Sequence, residues 1–187
     1  MPLRNTQTLW GWPARALHWA MAFIIAFQLI VGTYMTGVDD LAARFALTQT
    51  HKSWGFVVFA LALARVAWRL ANPTPTEPAG RPWEKLAARV SHGALYLLMF
   101  LMPVSGWLMA SASDLQDMYG VKNMVFGLFE LPDPFVPGDR GLEGVFSSIH
   151  TAAAVALAAL LAIHAGAALK HHLIDRDDVL TRMTVKR

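Results

Sequence analysis

Histidines offer the main chemistry in this sequence, because imidazole is both a titratable group and a common metal ligand. Two of them, His150 and His164, lie 14 residues apart in one long apolar segment. In an α-helix this separation is nearly four turns, so both rings point to the same face, roughly 21 Å apart along the axis. Two ligands stacked in this way suit two planar macrocycles, one in each half of a helical bundle.

Each macrocycle-bound iron then needs a second axial ligand at the matching depth. His51 is predicted at the level of His150, whereas His18 and His92 are both candidates at the level of His164. A haem iron with two histidine ligands suits electron transfer and leaves no open position for oxygen. The spacing therefore predicts two haem groups. His92 is an alternative ligand, or a residue that lines the inner haem, a propionate or a quinone pocket.

The composition narrows the class of protein. Cysteine is absent, which excludes disulfides, thiolate metal sites, iron–sulfur clusters and covalently attached c-type haem. The chain has 187 residues and is 55% hydrophobic and 16% charged, against about 45–50% and about 25% in soluble domains. A soluble domain of this length could not bury so much apolar surface. The composition argues against a soluble enzyme, a disordered chain and a nucleic-acid binder.

Four apolar segments are long enough to cross a bilayer, whose core of about 30 Å requires about 20 helical residues. The predicted membrane helices cover approximately 14–36, 51–70, 90–111 and 146–170. The second segment carries Arg65 and Arg69 close to one end, where long side chains can reach the headgroups. We therefore predict an all-α fold, a four-helix transmembrane bundle that binds two haems and forms a single domain over 1–187.

The distribution of basic residues predicts the orientation in the membrane. Four spans place both termini on one side, together with the connection between the second and third spans. That side has 12 of the 16 lysines and arginines, and the other side has four. Because cytoplasmic loops are enriched in these residues, we predict a multi-pass protein with both termini in the cytoplasm. The outer segment 114–144 is predicted to contain a short amphipathic piece around 120–130.

Short motifs in all four spans resemble the bacterial cytochrome b561 proteins. These motifs are LHW at 17–19, THK at 50–52, SHGALYLLM at 91–99, and IH at 149–150 followed by IHAGAALKHH at 163–172. The resemblance implies a four-helix, b-type cytochrome of the bacterial inner membrane, with two haem b groups as cofactors.

The resemblance also implies a ligand for each side of each iron. His18 and His164 are implied on the inner haem, and His51 and His150 on the outer haem, which favours His18 over His92 as the partner of His164.

The first functional hypothesis implied by the resemblance is a superoxide:ubiquinone oxidoreductase, an enzyme of the superoxide oxidase type. Periplasmic superoxide would give electrons to the outer haem, and ubiquinone in the membrane would receive them. Lys52 is adjacent to His51 in the sequence and could concentrate the anion near the haem edge. The same lysine could instead pair with a haem propionate.

Two other hypotheses are distinguishable from the first. In one, the chain is an electron-transfer membrane subunit that docks a periplasmic dehydrogenase or hydrogenase to the quinone pool, with the segment 114–144 as the docking surface. In the other, the chain is a haem-free bundle such as a transporter or an assembly factor. The spacing of His150 and His164 argues against the haem-free bundle, and so does their depth match with other histidines. A zinc site would need ligands that converge at one depth, whereas these histidines are predicted at two levels.

Overall fold

Long helices make up most of the chain in a computed structural model, which describes residues 2–77, 80–115, 122–135 and 137–184. In chain order the helices are α1 (Trp12–Met35), α2 (Leu41–Ala71), α3 (Pro82–Ala112) and α4 (Arg140–Lys170). Within the described ranges, all four are long and apolar enough to span a membrane. The predicted all-α class with four long apolar helices is confirmed, and the chain is a multi-pass membrane protein.

All four helices begin before the predicted apolar spans, and α2, α3 and α4 do so by six residues or more because polar residues and a proline set where they begin. The side chains of Asp40 and Asp139 each accept a hydrogen bond from a backbone N–H in the first turn of α2 and α4. Pro82 occupies the first turn of α3, where a missing N–H is tolerated. Hydropathy detects only the apolar middle of each helix. It therefore predicted that the second span starts at 51, whereas α2 begins at Leu41. His51 therefore lies well inside α2 and not at its start.

The helices pack in sequence, α1 against α2, α2 against α3, and α3 against α4. A small apolar core lies along the bundle and takes two residues from each helix: Met21 and Ile25, Val58 and Ala62, Leu98 and Met99, and Ala153 and Leu157. Many large apolar side chains point outwards instead, among them Phe23 at 71% exposure and Val155 at 67% exposure. This distribution is expected of helices whose outer faces contact lipid.

We call the end of the bundle that carries residues 2–11, the described part of the α2–α3 connection and residues 176–184 the termini end, and the opposite end the hairpin end. At the hairpin end, β1 (Met124–Val125) pairs antiparallel with β2 (Phe129–Glu130). Residues 120 and 121 of the predicted amphipathic piece lie outside the described residues, and from 124 to 130 the chain forms this hairpin. The backbone N–H of Phe126 donates to Ser53 Oγ at 2.9 Å, which attaches the hairpin to α2 beside His51.

The termini end is closed by contacts between the two ends of the chain. Trp19 Nε1 on α1 donates to the carbonyl oxygen of Met183 at 2.8 Å, and Arg15 donates to the carbonyl oxygen of Thr184 at 2.6 Å. α4 is continued by a π-helical turn over His171–Asp175, from which the C-terminal segment leads back to α1.

Candidate cofactor site

A pair of histidines lies between α2 and α4 near the hairpin end. The ring centroids of His51 and His150 are 6.3 Å apart, and the ring planes are nearly perpendicular, at 83°. His150 Nδ1 donates to the carbonyl oxygen of Met102 at 3.1 Å and lies 3.0 Å from Ser105 Oγ. Because a carbonyl oxygen only accepts, this hydrogen bond places the proton on Nδ1. Nε2 of His150 therefore keeps its lone pair for a metal ion.

Two glycines give these rings the space they occupy. A Cβ atom added at Gly32 of α1 would lie 2.9 Å from Cε1 of His51, and one added at Gly106 of α3 would lie 3.1 Å from Cε1 of His150. Both contacts are shorter than ordinary van der Waals separations, so any larger residue displaces a ring. Sequence reasoning missed both glycines, and their only signal is a glycine inside an apolar helix, where it lowers helix stability.

A second cluster lies towards the termini end and contains three histidines from three helices. The ring centroid of His164 on α4 lies 6.1 Å from that of His18 on α1 and 5.4 Å from that of His92 on α3. The structure thus brings both of the sequence-predicted partners of His164 to the same ring.

The distances within both clusters fit axial ligation of an iron ion. A metal–imidazole bond is about 2 Å long, and the ring nitrogen lies about 1 Å from the ring centroid, so two rings on opposite sides of one metal have centroids roughly 6 Å apart. The observed separations are 6.3 Å for His51 and His150 and 6.1 Å for His18 and His164. His51 Nδ1 is also buried without a hydrogen-bond partner in the described part of the chain. The residues present therefore fit the predicted haem groups.

Arginine distinguishes the termini-end cluster from the hairpin-end pair. A guanidinium nitrogen of Arg65 lies 3.3 Å from His18 Nδ1, and a second one donates to the carbonyl oxygen of Ala14 at 3.4 Å. Arg69 lies above the ring of Tyr96, 5.8 Å from its centroid. Positive charge is thus concentrated beside the termini-end histidines.

An interhelical hydrogen bond connects α1 to the hairpin-end pair. Gln28 Nε2 donates to the carbonyl oxygen of His51 at 2.7 Å. This contact fixes the backbone that carries His51 relative to α1.

Basic residues at the hairpin end lie close to carboxylates. Lys52 is half-buried and interacts electrostatically with Asp133. Lys122 Nζ lies 2.7 Å from Glu130 Oε2, and this hydrogen bond raises the pKa of Lys122. Lys122 also lines an open, mostly apolar cavity of about 440 Å³ between α2 and the hairpin. The positive charge of Lys52, which the sequence suggested for anion steering, is therefore partly balanced by Asp133.

Comparison with known proteins gives matches along the whole chain. The sequence profile of the prokaryotic cytochrome b561 family matches residues 9–186. The chain is 34% identical over 189 aligned residues to cytochrome b561 homolog 2 of Escherichia coli (strain K12), with 100% of this chain and 96% of that protein covered. It is 28% identical to a protein of Yersinia pestis named probable superoxide oxidase CybB, with 91% and 93% covered. It is also 28% identical to cytochrome b562 of Cereibacter sphaeroides, with 89% of each chain covered.

Proposed function

The chain belongs to the prokaryotic cytochrome b561 family of membrane electron carriers, and we propose that it carries electrons from periplasmic superoxide to ubiquinone. The observation that supports this proposal most strongly is the pairing of imidazoles at two levels of one bundle. Centroid separations of 6.3 Å and 6.1 Å suit iron ligation at both levels. Two redox centres at different depths provide a route for electrons that one centre could not.

We assign His51 and His150 as ligands of a haem b near the hairpin end, and His18 and His164 as ligands of a second haem b near the termini end. When bound, a haem with two histidine ligands supplies reversible one-electron transfer. His150 is held in the ligating tautomer by the carbonyl oxygen of Met102. In this assignment His92, 5.4 Å from His164, lines the termini-end haem and is not a ligand.

The proposed orientation places the termini end in the cytoplasm and the hairpin end in the periplasm of a bacterial inner membrane. The excess of lysine and arginine on the side of the termini supports this orientation. Superoxide would then meet the protein at the hairpin end, close to the level of His51 and His150.

Superoxide as the electron donor is supported by the name of the Yersinia pestis relative, to which the chain is 28% identical. In the balanced reaction, two superoxide anions are oxidised to two molecules of oxygen. One ubiquinone takes up the two electrons and two protons and becomes ubiquinol. Lys52 supplies a positive charge next to His51 that attracts the superoxide anion. The negative charge of Asp133 weakens this attraction.

The hairpin itself favours a second candidate function, that of a membrane subunit for a periplasmic dehydrogenase or hydrogenase. Leu128 and Phe129 at the hairpin are 80% and 54% exposed. The segment that carries them is held in place by Asn123, which is fully buried and donates to Ser111 Oγ at 3.2 Å. An ordered segment that presents apolar side chains is suited to contact with another protein.

Rapid mixing of the purified chain with superoxide and with a ubiquinone analogue, each supplied separately, distinguishes the two functions. The superoxide oxidase proposal predicts that superoxide alone reduces the haem absorption bands, and that subsequent addition of the quinone reoxidises them. Bands that superoxide leaves unchanged, together with stable co-purification of a periplasmic dehydrogenase, would instead establish the subunit function.

A further inference from the structure

A third group of side chains of the types that ligate metals lies at the termini end, apart from both histidine clusters. α4 does not stop at Lys170 but continues in the π-helical turn, and the next residue, Arg176, has a left-handed φ of 56°. This path brings His171, Asp175 and Asp177 together. Nδ1 of His171 lies 3.2 Å from Asp175 Oδ2 and 2.6 Å from Asp177 Oδ2. One ligand atom from each residue lies within 4.8 Å of the other two.

The charges around this group leave a negative excess. Lys170 Nζ lies 2.7 Å from Asp175 Oδ2 and 3.0 Å from Glu84 Oε1. Asp177 contacts His171 and adds a third carboxylate to this set. Because a metal-binding imidazole is neutral, these three carboxylates and one ammonium group sum to two negative charges. A divalent cation would neutralise this sum. Glu84 would remain as a partner for Lys170 if the carboxylate of Asp175 turned towards such an ion.

The donor set indicates which cation fits. One imidazole nitrogen with two carboxylate oxygens suits zinc and other first-row divalent metals, whereas magnesium and calcium prefer oxygen alone. Zinc bonds to these atoms are about 2.0–2.2 Å long, so two ligands in a tetrahedral shell lie roughly 3.3 Å apart. The separation of 3.2 Å between His171 and Asp175 already matches this value. The shorter contact to Asp177 needs to open by less than about 1 Å.

We propose that His171, Asp175 and Asp177 form a binding site for a zinc ion or a similar first-row divalent metal, with water completing the coordination. The bound ion connects the end of α4 to the C-terminal segment. That segment reaches back to α1, where the carbonyl oxygen of Met183 accepts a hydrogen bond from Trp19. The metal therefore stabilises the packing of the C-terminal segment across the termini end.

Calorimetric titration of zinc chloride into the haem-loaded protein, purified in detergent with any polyhistidine tag removed, tests the proposal. We expect one zinc ion per chain and no competition from a large excess of magnesium chloride. His171→Ala and Asp177→Asn should each weaken zinc binding at least tenfold. His172→Ala is the matched control, because it removes the adjacent histidine, which lies outside the cluster, and should bind zinc as the wild type does.

Three results would overturn the proposal. The first is an absence of stoichiometric zinc binding to the wild type. The second is a loss of zinc binding in His172→Ala equal to that in His171→Ala, which would indicate that exposed histidines bind zinc without the two carboxylates. The third is a lower melting temperature in both cluster variants with zinc affinity unchanged, which would reduce the cluster to an ion pair of protonated His171. Asp177→Asn keeps the test decisive if His171→Ala does not fold. Zinc binding is measured independently of electron transfer.

Discussion

His150 on α4 donates a hydrogen bond from Nδ1 to the carbonyl oxygen of Met102 on α3, across 3.1 Å. α3 also provides Ser105 Oγ at 3.0 Å from Nδ1, and Gly106, which lies against Cε1 of the ring. Within five residues of α3, therefore, a carbonyl group fixes the tautomer of the imidazole, and a missing side chain leaves space for it. α3 contributes no ligand to the hairpin-end pair in our assignment, but it determines how His150 is oriented.

The first prediction concerns the glycines beside the hairpin-end pair. Gly32→Ala places a Cβ 2.9 Å from Cε1 of His51 and should remove most of one of the two haems per chain. Gly106→Ala, with a Cβ at 3.1 Å from His150, should retain that haem more weakly. Haem content per chain and the rate of haem loss to apomyoglobin measure both effects.

Gly93→Ala is the control for this prediction, since it lies on α3 and its added Cβ meets nothing within 4 Å. Alanine is more favourable than glycine in a helix by about 1 kcal/mol, so haem loss in Gly32→Ala could not be attributed to a weaker helix. Equal haem retention in Gly32→Ala and Gly93→Ala would contradict the role of Gly32.

The second prediction decides which histidine is opposite His164. His18→Ala should lose one haem and keep the other, whereas His92→Ala should keep both with a small shift in the spectrum of one. The centroid distances of 6.1 Å and 5.4 Å bring both candidates into range, and we assign the ligand role to His18. Haem-to-protein ratios of the two variants provide the measurement, and the reverse pattern would transfer the ligand role to His92.

The third prediction concerns the redox effect of Arg65, whose guanidinium lies 3.3 Å from His18 Nδ1. A nearby positive charge favours the reduced state of a redox centre, because reduction adds an electron. Arg65→Gln should therefore lower the midpoint potential of the termini-end haem and leave that of the other haem nearly unchanged. A contribution on the order of 1–2 kcal/mol corresponds to a shift of roughly 40–90 mV for a one-electron couple.

Potentiometric titration of the haem absorption bands measures this shift. Arg89→Gln removes an equal charge from the same end, at an exposed arginine that pairs with Glu77 at 3.4 Å, and should shift neither potential measurably. Unchanged potentials in Arg65→Gln, or equal shifts in both haems, would show that Arg65 does not tune the termini-end centre.

The fourth prediction concerns Lys52 and the attraction of superoxide. Lys52→Glu should slow haem reduction by superoxide, most strongly at low ionic strength, because salt screens the interaction between the anion and the protein. Lys85→Glu changes the net charge equally at the opposite end and should leave the rate unaffected. Rates that stay equal for Lys52→Glu and the wild type across a range of salt concentrations would exclude a steering role.

The sequence predicted the general arrangement of the site because hydropathy and helical spacing are local properties. Four apolar spans could be recognised from the chain alone, and the interval of 14 residues between His150 and His164 indicated two levels of ligation. The contact between Arg65 and His18 could not be predicted in this way. Hydropathy places such an arginine among the headgroups, and its actual direction depends on how α2 rotates against α1.

The helix starts and the hairpin were also beyond the sequence patterns. Asp40 caps α2 within a stretch that hydropathy does not recognise as membrane-spanning, and the extra turns carry Phe45 and Gln49, which line the cavity between α2 and the hairpin. The hairpin depends on a contact between Phe126 and Ser53, which are 73 residues apart in the chain. No local pattern encodes a contact of that range.

The proposed electron route requires two imidazole pairs that each hold an iron porphyrin, and the number of haems per chain measures this requirement. The purified wild-type chain, expressed with ample haem supply, should contain two b-type haems per polypeptide by the pyridine haemochrome assay. His150→Ala should contain one, and His172→Ala should contain two. A wild type with one haem or none, or a His150→Ala variant that still binds two, would show that the chain does not hold two haems between these histidine pairs.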